Sequence, residues 1–438
     1  MNNTPEKVTV IGGGLAGSEA AYYLASRGIE TVLIDMKPKK FSPAHESEKF
    51  GELVCSNSLK SNDPYSNACG LLKEEMRLLG SLVIRAADET KVPAGAALAV
   101  DRDLFSDYIT NRLRSLKTLT VLSEEVETLP EPKENEYVIV ATGPLTGEAL
   151  AADIEKKTGG ALHFYDASAP IVSAESVDSE TSFTGDRYGK GTGDYINCPL
   201  SKEEYYAFVE ALLSAEKAHL HEFDKREIFE GCMPIEVMAS RGADTLRYGT
   251  LKPVGLWGED GKRPFAVLQL RKENEFGTAY NLVGCQTNLK FAEQKRVFSM
   301  IPALKNAEFL RYGVMHRNTY IQSPDVLNAD FSVKNNRRLF FAGQITGVEG
   351  YVESAASGLL AAIHIADEIL NRPTHVFDEQ TVLGALSRYI STPNKDFQPM
   401  NANFGILAPM DKRIRDKKER YRALAERSLS KIREAAEI

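Results

Sequence analysis

The sequence predicts an α/β fold in which a Rossmann-like nucleotide-binding domain, built from both ends of the chain, carries an inserted α+β domain. Three observations lead to this prediction. A glycine-rich turn joins an apolar run to a helix near residue 12, two later apolar runs also end in glycine, and the stretch between them is rich in turn residues. We expect four segments, at residues 1–165, 166–305, 306–400 and 401–438.

The first element is a βαβ unit. The apolar run 8–11 is typical of a strand, a helix-period stretch follows through residue 25, and a second apolar run ends at Asp35. The turn after the first strand matches a Gly-x-Gly-x-x-Gly fingerprint and consists of Gly12, Gly13, Gly14, Leu15, Ala16 and Gly17. Strand, glycine turn, helix and strand in this order predict a dinucleotide site.

Each residue type in this fingerprint has a physical role. Gly12 allows the tight turn, Gly14 lets the backbone approach a pyrophosphate, and Gly17 lets the helix pack closely on the strand. The helix N-terminus then faces the phosphates, and Asp35 accepts a hydrogen bond from the adenosine ribose hydroxyls. The alternative is a purely structural glycine turn, but the flanking elements and the spacing to the acid favour dinucleotide binding.

Two later elements repeat the pattern of an apolar strand that stops at glycine. They cover residues 137–143 and 339–344, and an apolar helix is predicted over 351–366. Together with the first unit they predict one nucleotide domain. The middle of the chain differs: residues 188–194 are turn-rich, a helix is predicted over 201–218, and strand-like runs cover 265–270 and 278–283.

Length and composition limit the class of protein. At 438 residues the chain is about three times a typical domain of roughly 150 residues, which excludes a single small binding module. Hydrophobic residues make up 43% and charged residues 26%, which excludes a disordered or fibrous chain. The net charge of −8 argues against a general nucleic-acid coat. No apolar run approaches the roughly 18 residues of a membrane span, and the few residues before the first strand leave no room for a signal peptide, so we expect a cytoplasmic protein.

The five cysteines are odd in number, widely spaced and without a Cys-x-x-Cys pair. This pattern argues against a disulfide framework and against a zinc site, and no metal is predicted. Each thiol must be judged separately. Without further information, Cys232 is more typical of a buried, inert thiol.

Five segments together carry a resemblance to a known family. They are Gly12 to Ala21, Cys55-Ser56-Asn57-Ser58, Val100-Asp101-Arg102, Gly231-Cys232-Met233-Pro234, and Gly343-Gln344 to Ser357-Gly358. Over nearly the whole chain the sequence resembles the folate- and FAD-dependent tRNA (uracil-5-)-methyltransferases. A related flavoprotein family that modifies the tRNA wobble uridine shares the first glycine motif and the Gly-Gln pair, but the two cysteine segments distinguish the families.

The resemblance implies a fold, an activity and cofactors. It implies an FAD-binding domain of the glutathione-reductase type, with the inserted domain covering the flavin. It also implies that the T-loop uridine of tRNA is converted to 5-methyluridine. The one-carbon unit comes from 5,10-methylenetetrahydrofolate, and reduced FAD, regenerated by NADH or NADPH, is the methylene carrier and reductant.

The resemblance also assigns site residues. It implies that Cys232 is the nucleophile that attacks C6 of uracil, since a thiolate is intrinsically nucleophilic. It implies a second functional cysteine, Cys55, whose role stays open between acting as the base and handling the methylene. The remaining cysteines, Cys69, Cys198 and Cys285, are interpreted as structural.

Further positions follow from these cofactors. Four residues that directly follow the two later strands are expected to line the FAD site. They are Thr142, Gly143, Gly343 and Gln344. Asp101-Arg102 is either a flavin contact or a salt-bridged surface turn. Arg247 and Lys252 are candidates for the folate tail or tRNA phosphates, or lie on a solvated charged face.

A basic tail is the expected RNA contact. Residues 411–433 contain ten Lys or Arg against four Asp or Glu, a local charge of +6. One apolar helix face, with Ile414, Tyr421, Leu424 and Ile432, is predicted to dock on the body and leave the cations outward. A compatible interpretation is an exposed helix with i to i+4 pairs, Asp411 with Arg415 and Asp416 with Arg420.

Three other functions remain as alternatives. One is a flavin-dependent NAD(P)H oxidoreductase that acts on a small molecule, with structural cysteines. A second is the same methylation chemistry on ribosomal RNA. A third is a non-catalytic RNA-binding flavoprotein that uses the basic tail.

Overall fold

The structure is a computed structural model that describes residues 6–159, 161–189, 191–218, 233–258, 261–274, 276–395 and 397–437. The strands are β1 Lys7–Ile11, β2 Glu30–Asp35, β3 Ser58–Ser61, β4 Lys91–Val92, β5 Ala97–Val100, β6 Leu119–Ser123, β7 Glu136–Val140, β8 Ala161–Ala167, β9 Ile171–Ser173, β10 Phe183–Thr184, β11 Tyr195–Leu200, β12 Ala266–Lys272, β13 Ala279–Leu282, β14 Phe309–Arg311, β15 Met315–Ile321, β16 Ser332–Val333 and β17 Asn336–Phe341. The helices are α1 Leu15–Ala25, α2 Ala68–Leu78, α3 Leu82–Glu89, α4 Arg102–Arg114, α5 Glu148–Thr158, α6 Lys202–Ser214, α7 Ile235–Ser240, α8 Thr245–Tyr248, α9 Phe291–Phe298, α10 Ser323–Val326, α11 Tyr351–Ile369, α12 Val382–Ser391 and α13 Lys417–Ala436.

The first sheet combines strands from both ends of the chain, which confirms the predicted fold class. Its order is β16–β17–β7–β1–β2–β6, and all neighbours are parallel except the edge pair β16–β17. Val10 of β1 pairs with Leu33 of β2 and Ile139 of β7, and all three side chains are fully buried. The apolar runs of the sequence are therefore central strands covered on both faces.

Small residues bring α1 close to the glycine turn and to α11. A Cβ on Gly17 would lie 1.8 Å from the Gly12 carbonyl oxygen, and one on Gly358 would lie 2.1 Å from the Ala16 carbonyl oxygen. Only glycine allows either approach. Although α11 is long and apolar, none of the described helices meets the length and hydropathy needed to cross a membrane.

The middle of the chain forms a second sheet with its own core. All its neighbours are antiparallel, in the order β10–β11–β12–β13–β9–β14. Phe208 of α6 and Phe298 of α9 join this core with ring centroids 6.1 Å apart. Because Phe309 and Arg311 of β14 pair with β9, the sheet extends past the expected boundary at residue 305.

The basic tail docks on the first domain through α13. Leu424, Ala425, Leu429 and Ile432 are buried in the first core, and Tyr421 packs against it, which confirms three residues of the predicted apolar face. The fourth, Ile414, precedes the helix and does not share this face. The helix begins at Lys417, whereas the predicted pair of Asp411 with Arg415 requires a start before residue 411. The Asp416 side chain caps the helix by accepting from the Glu419 N–H at 2.9 Å.

The two ion pairs predicted for the tail do not form in its described part, residues 411–437. The Asp416 carboxylate is used by the cap, and the Arg420 guanidinium donates to the Ile414 carbonyl at 3.3 Å. Residue 411 precedes the helix, so Asp411 and Arg415 lack helical spacing. The pairs that form lie further along α13, Arg422 with Glu426 and Lys431 with Glu434.

Candidate active site

The glycine turn is held against the ends of β1, β2 and β7. The Gly12 N–H donates to the Ile34 carbonyl at 2.8 Å, and the Ala141 N–H donates to the Ile11 carbonyl at 2.7 Å. Gly12 has φ of 103°, and a Cβ there would lie 2.4 Å from the Ala141 carbonyl oxygen. The turn is thus fixed by a backbone contact that excludes any side chain at Gly12.

Asp35 lies at the end of β2 beneath this turn. Its Oδ2 accepts from the Gly13 N–H at 2.5 Å, and its Oδ1 accepts from the Lys37 N–H at 2.8 Å. A carboxylate has about four acceptor sites, so two remain for a ligand. Asp35 also lines the adjoining cleft.

The cleft has the shape and lining for a dinucleotide. The cleft has a volume of about 1130 Å³, which includes space open to solvent. The predicted FAD-binding residues that line it are Gly12, Gly13, Gly14, Leu15, Ala16, Asp35, Thr142, Gly143, Gly343 and Gln344. A Cβ on Gly14 or Gly143 would meet no protein atom within 4 Å. The N-cap residue of α1 is Gly14, which has no side chain to cap the helix, so the first amides of α1 can face a phosphate. The residues present fit FAD, whereas Gly17 serves the packing below the cleft.

The segment that begins with Gly343 and Gln344 connects β17 to the helix α11. Gly343 has φ of 85°, and its N–H donates to the Ser357 hydroxyl at 2.6 Å. The Gln344 amide donates to the Glu349 carboxylate. These contacts fix the backbone between β17 and α11 at the wall of the cleft.

Cys55 is held at the edge of the cleft by Tyr351, the first residue of α11. The Tyr351 hydroxyl donates to the Cys55 sulfur at 3.0 Å and accepts from the Cys55 N–H at 2.8 Å and the Ser56 N–H at 3.2 Å. Burial and the nearby Cys55 raise the pKa of Tyr351 well above its ordinary value, so the hydroxyl keeps the proton that it donates. Tyr351 itself lines the cleft.

The rest of the Cys55 segment is fixed by the second domain. The Arg271 guanidinium donates to the Asn57 amide oxygen at 3.0 Å and to the Ser56 hydroxyl at 2.8 Å. The Asn57 amide nitrogen donates to the Val100 carbonyl at 2.9 Å and the Lys272 carbonyl at 2.7 Å. The serine and the asparagine of this motif therefore join the two domains next to the cysteine.

Asp101 and Arg102 fix the start of α4 and its contact with the second domain. The Asp101 carboxylate caps α4 by accepting from the N–H groups of Asp103 and Leu104. The Arg102 guanidinium binds Glu273 of the second domain at 2.5 Å. Arg102 is therefore salt-bridged, as one of the two expectations had it, but the ion pair is partly buried and crosses the domain boundary instead of lying on a surface turn. Contact between this segment and the flavin stays a prediction.

Cys232 lies outside the described residues, as does Gly231. The chain on either side is fixed to one stretch, residues 286–290. The Ala218 N–H donates to the Asn288 carbonyl at 2.8 Å, and the Ile235 N–H donates to the Gln286 carbonyl at 2.7 Å. The position of Cys232 relative to Cys55 stays a prediction.

The three other cysteines are enclosed in the cores. Cys69 is 2% exposed, and Cys198 and Cys285 are fully buried. Burial raises the pKa of Cys69 to about 11 and that of Cys198 to about 12, and it raises the pKa of Cys285 further. Thiols in this state are poor nucleophiles.

Two residues of the site were missed from the sequence. Tyr351 was assigned only as the start of a helix, and the signal was a bulky aromatic directly after Gly350 where α11 begins. Arg271 follows a buried apolar run, and the signal was a charge on the strand β12 rather than in a turn. Both make contacts with residues far away in the sequence.

The sheet, the glycine turn and the cleft define a two-domain protein of the Rossmann-like, FAD-binding class, with a cysteine at the cleft edge. The sequence profile of the family described as "Glucose inhibited division protein A" matches residues 7–373. The structure of Aquifex aeolicus GidA in the form I crystal has the same fold, with a TM-score of 0.70 at 17% identity, covering 99% of this chain and 76% of that chain.

Several relatives are much more similar in sequence. Proteins named methylenetetrahydrofolate--tRNA-(uracil-5-)-methyltransferase TrmFO from Lactobacillus acidophilus and Acetivibrio thermocellus are each 55% identical to this chain, over 434 and 430 residues, and each alignment covers 98% of both chains. The protein of that name from Staphylococcus carnosus is 55% identical over 429 residues, 97% of both chains. The chain belongs to the methylenetetrahydrofolate--tRNA-(uracil-5-)-methyltransferase family.

Proposed function

We propose that the protein methylates C5 of the T-loop uridine of tRNA. The one-carbon donor is 5,10-methylenetetrahydrofolate, and FAD, kept reduced by NADH or NADPH, is the redox cofactor. The observation that supports this most is the cysteine beside the dinucleotide cleft, since Tyr351 both lines the cleft and binds the Cys55 sulfur. The relatives are named for the same one-carbon donor, the same kind of RNA and the same position of the uracil base.

Different residues of the cleft bind different parts of FAD in this proposal. The amides of the Gly12–Gly14 turn and the start of α1 bind the pyrophosphate, and Asp35 binds the adenosine ribose. Gly343 and Gln344 form the part of the cleft wall that lies between β17 and α11. When bound, reduced FAD carries the methylene and supplies the reducing equivalents that turn it into a methyl group.

Cys232 is the nucleophile in this proposal. C5 of uracil is a poor nucleophile, so the Cys232 thiolate first adds to C6 and moves the C5–C6 electron pair into an enolate. C5 can then form a bond to the one-carbon unit. A base removes the C5 proton, and the bond between the one-carbon unit and its carrier breaks to leave an exocyclic methylene at C5. Addition of a hydride equivalent to this methylene gives the methyl group, re-forms the C5–C6 double bond and expels the thiolate by cleavage of the C6–S bond.

Cys55 has a separate role in handling the proton that leaves C5. Its sulfur is oriented by the Tyr351 hydroxyl, and its backbone is fixed by the same oxygen. The Arg271 contacts with Ser56 and Asn57 hold this segment on the second domain. A thiol fixed from both sides can meet the same atom of a bound base in each turnover.

The tail supplies RNA contacts that compensate for extracting the base. The T-loop uridine must leave its stacking partners, at a cost of about a few kcal/mol. Lys412, Arg413 and Arg415 are exposed and line a second cleft beside α13. Their cations are therefore accessible to phosphates, whereas Arg427 is used within the protein and donates to the Ala408 and Pro409 carbonyls.

The thiol adduct with uracil provides the test. A T-loop RNA with 5-fluorouridine at the target has no removable proton at C5, so the complex should accumulate with a covalent bond to the protein. We expect a band of protein plus RNA on denaturing gels that is absent for Cys232→Ala and retained for the core control Cys198→Ala. An adduct that persists in Cys232→Ala, or no adduct in protein that retains FAD, would contradict the proposal.

A further inference from the structure

The second domain has several exposed aromatic side chains, Phe276 and Phe291 among them, and three others lie on segments that are hydrogen-bonded to one another. Tyr188 is 67% exposed, Tyr248 is 77% exposed, and Trp257 is 58% exposed. Trp257 is the single tryptophan of the chain. Aromatic rings of this size usually contribute to a core or an interface, so three of them in the solvent indicate a binding surface.

Each aromatic is accompanied by a guanidinium. The Arg263 guanidinium lies over the Trp257 ring at 5.1 Å, and that of Arg247 lies over the Tyr248 ring at 5.7 Å. Arg247 also donates to the Phe265 carbonyl at 2.9 Å, two residues beyond Arg263. Both pairs are therefore attached to the same short segment before β12.

The third pair, Arg187 and Tyr188, is fixed to the loop that carries Trp257. The Arg187 guanidinium donates to the Val254 carbonyl at 2.8 Å, and the Tyr188 N–H donates to the Gly255 carbonyl at 2.9 Å. Gly255 has φ of 81°, and a Cβ there would lie 3.0 Å from the Tyr188 ring. The loop is thus held in one conformation. We call the six residues the Trp257 surface: Arg187, Tyr188, Arg247, Tyr248, Trp257 and Arg263.

The Trp257 surface is connected to the cysteine segment through one strand. Arg187 donates to the Gln269 amide oxygen at 2.7 Å. Gln269 and Arg271 point to the same face of β12, about 7 Å apart along the strand. Arg271 holds Ser56, the neighbour of Cys55.

Among the residues that the structure describes, the guanidiniums of this surface form no ion pair. Within the described part of the chain, Arg187 and Arg247 donate to carbonyl and amide oxygens, and Arg263 lies on a ring. A carboxylate partner would cancel their attraction for an anion. Exposed rings beside guanidiniums are the combination that binds unpaired nucleotides, because every base has a face for stacking and every nucleotide has a phosphate.

We propose that the Trp257 surface binds unpaired nucleotides of the substrate RNA, with a base stacked on Trp257 and phosphates at the guanidiniums. This inference rests on the proposed function and adds the surface that holds the RNA beside the site. The surface keeps nucleotides near the target uridine unstacked while that uridine is in the cleft. Loss of one stacked base weakens RNA binding by about tenfold.

The single tryptophan makes the test direct. Intrinsic fluorescence of the FAD-containing protein is titrated with a T-loop tRNA transcript, and the dissociation constant is measured in parallel by filter binding. We expect the emission to change with the same midpoint as filter binding. Trp257→Ala should weaken binding about tenfold, and Trp257→Phe should stay within about threefold of wild type because it keeps a ring for stacking.

A matched control lies at the opposite edge of the second sheet. Leu310 on β14 is 53% exposed, and we expect Leu310→Ala to bind as wild type does. Unchanged emission during RNA binding, or Trp257→Ala with wild-type affinity, overturns the inference while methylation by wild type leaves the proposed function standing. Emission that responds to 5,10-methylenetetrahydrofolate and not to RNA overturns it as well, as does a tenfold loss accompanied by loss of FAD.

Discussion

The Tyr351 hydroxyl joins residues that lie 296 positions apart. It donates to the Cys55 sulfur and accepts from two backbone N–H groups, so one oxygen sets both the side chain and the backbone of that segment. A phenylalanine would fill the same space without the oxygen. Three hydrogen bonds would then disappear together, and two partly buried amides would lose their acceptor.

Tyr351→Phe should therefore slow catalysis. We expect kcat for tRNA methylation to fall by about 10- to 100-fold, while FAD content and tRNA affinity stay near those of wild type. The control is Tyr389→Phe, which removes a hydroxyl that donates to the Gln398 carbonyl at 2.6 Å. Equal rates for wild type and Tyr351→Phe would mean that this hydroxyl has no part in the reaction.

Two glycines of the same turn should respond in opposite ways to alanine. A Cβ on Gly14 meets only open space in the cleft, so Gly14→Ala should keep its thermal stability without FAD but lose FAD affinity. A Cβ on Gly17 meets the Gly12 carbonyl oxygen at 1.8 Å, so Gly17→Ala should lose about 1–3 kcal/mol of stability or more. Thermal unfolding of the apoproteins and flavin absorbance of the purified proteins separate the two effects. Full FAD content in Gly14→Ala would show that the pyrophosphate does not lie at this turn.

The difference between predicted and missed residues has a physical origin. Gly12, Gly14 and Asp35 were predictable because a dinucleotide dictates backbone conformation and charge within one local unit. Tyr351 and Arg271 act through contacts with the Cys55 segment, and no local pattern encodes which distant strand or helix lies beside it. The ion pair of Arg102 was expected on a surface turn for the same reason, since its partner Glu273 belongs to the other domain.

At the scale of elements, Glu75 fastens three helices at one point. Its carboxylate accepts from the N–H groups of Val382 and Leu383 at the start of α12, at 2.8 and 2.9 Å, and from the Ser428 hydroxyl of α13. The side chain is fully buried, and burial raises its pKa to about 7. The docking of the tail is therefore linked to a titratable group.

The raised pKa of Glu75 determines how the stability of the protein changes with pH. The pKa of Glu75 in the folded protein, about 7, is above its ordinary value of 4.5, so the group stabilises the fold fully below pH 4.5 and loses this contribution as pH rises through 7. Glu75→Gln cannot titrate. We expect the free energy of unfolding of wild type, relative to this variant, to fall by about 3 kcal/mol between pH 4.5 and 8 in urea.

The control for Glu75→Gln is a glutamate that is exposed to solvent. The exposed Glu134→Gln should keep a constant difference from wild type over the same pH range. A difference for Glu75→Gln that is constant or grows with pH would show that the carboxyl is charged in the folded protein at low pH.

Element boundaries were predictable where the pattern was local. The strands next to the glycines and the helix α11 begin within a few residues of the predicted positions, because hydrophobic period and glycine turns mark them. The start of α13 was placed too early, since Lys and Arg are frequent on both sides of the Asp416 cap and composition alone does not reveal a cap.

At the scale of the whole molecule, charge is divided unevenly. The chain carries −8, yet residues 411–433 carry +6. α13 packs its apolar face on the first core and leaves its cations on the surface. Total charge is therefore a poor guide to the partner, because an RNA responds to the local field of a basic segment and not to the net charge of the chain.

The tail should determine the salt dependence of RNA binding. The triple variant Lys412→Gln, Arg413→Gln, Arg415→Gln should weaken tRNA binding and reduce the slope of log affinity against log salt by about 1 for each phosphate that the tail no longer neutralises. The control double variant, Arg422→Gln with Lys431→Gln, removes cations that already face Glu426 and Glu434, and should reduce the slope less. Equal slopes for wild type and the triple variant would assign the RNA contacts to another surface.

The central claim is the transfer of a folate one-carbon unit to a tRNA uridine, and nucleoside analysis tests it most directly. Protein that retains FAD is incubated with NADPH, a T-loop transcript and 5,10-methylenetetrahydrofolate labelled in the methylene carbon, and the RNA is digested to nucleosides. We predict labelled 5-methyluridine from the T-loop position, none without the folate, and none with Cys232→Ala. Unmodified uridine in the complete reaction, or label found only in ribosomal RNA when both RNAs are offered, would contradict the account.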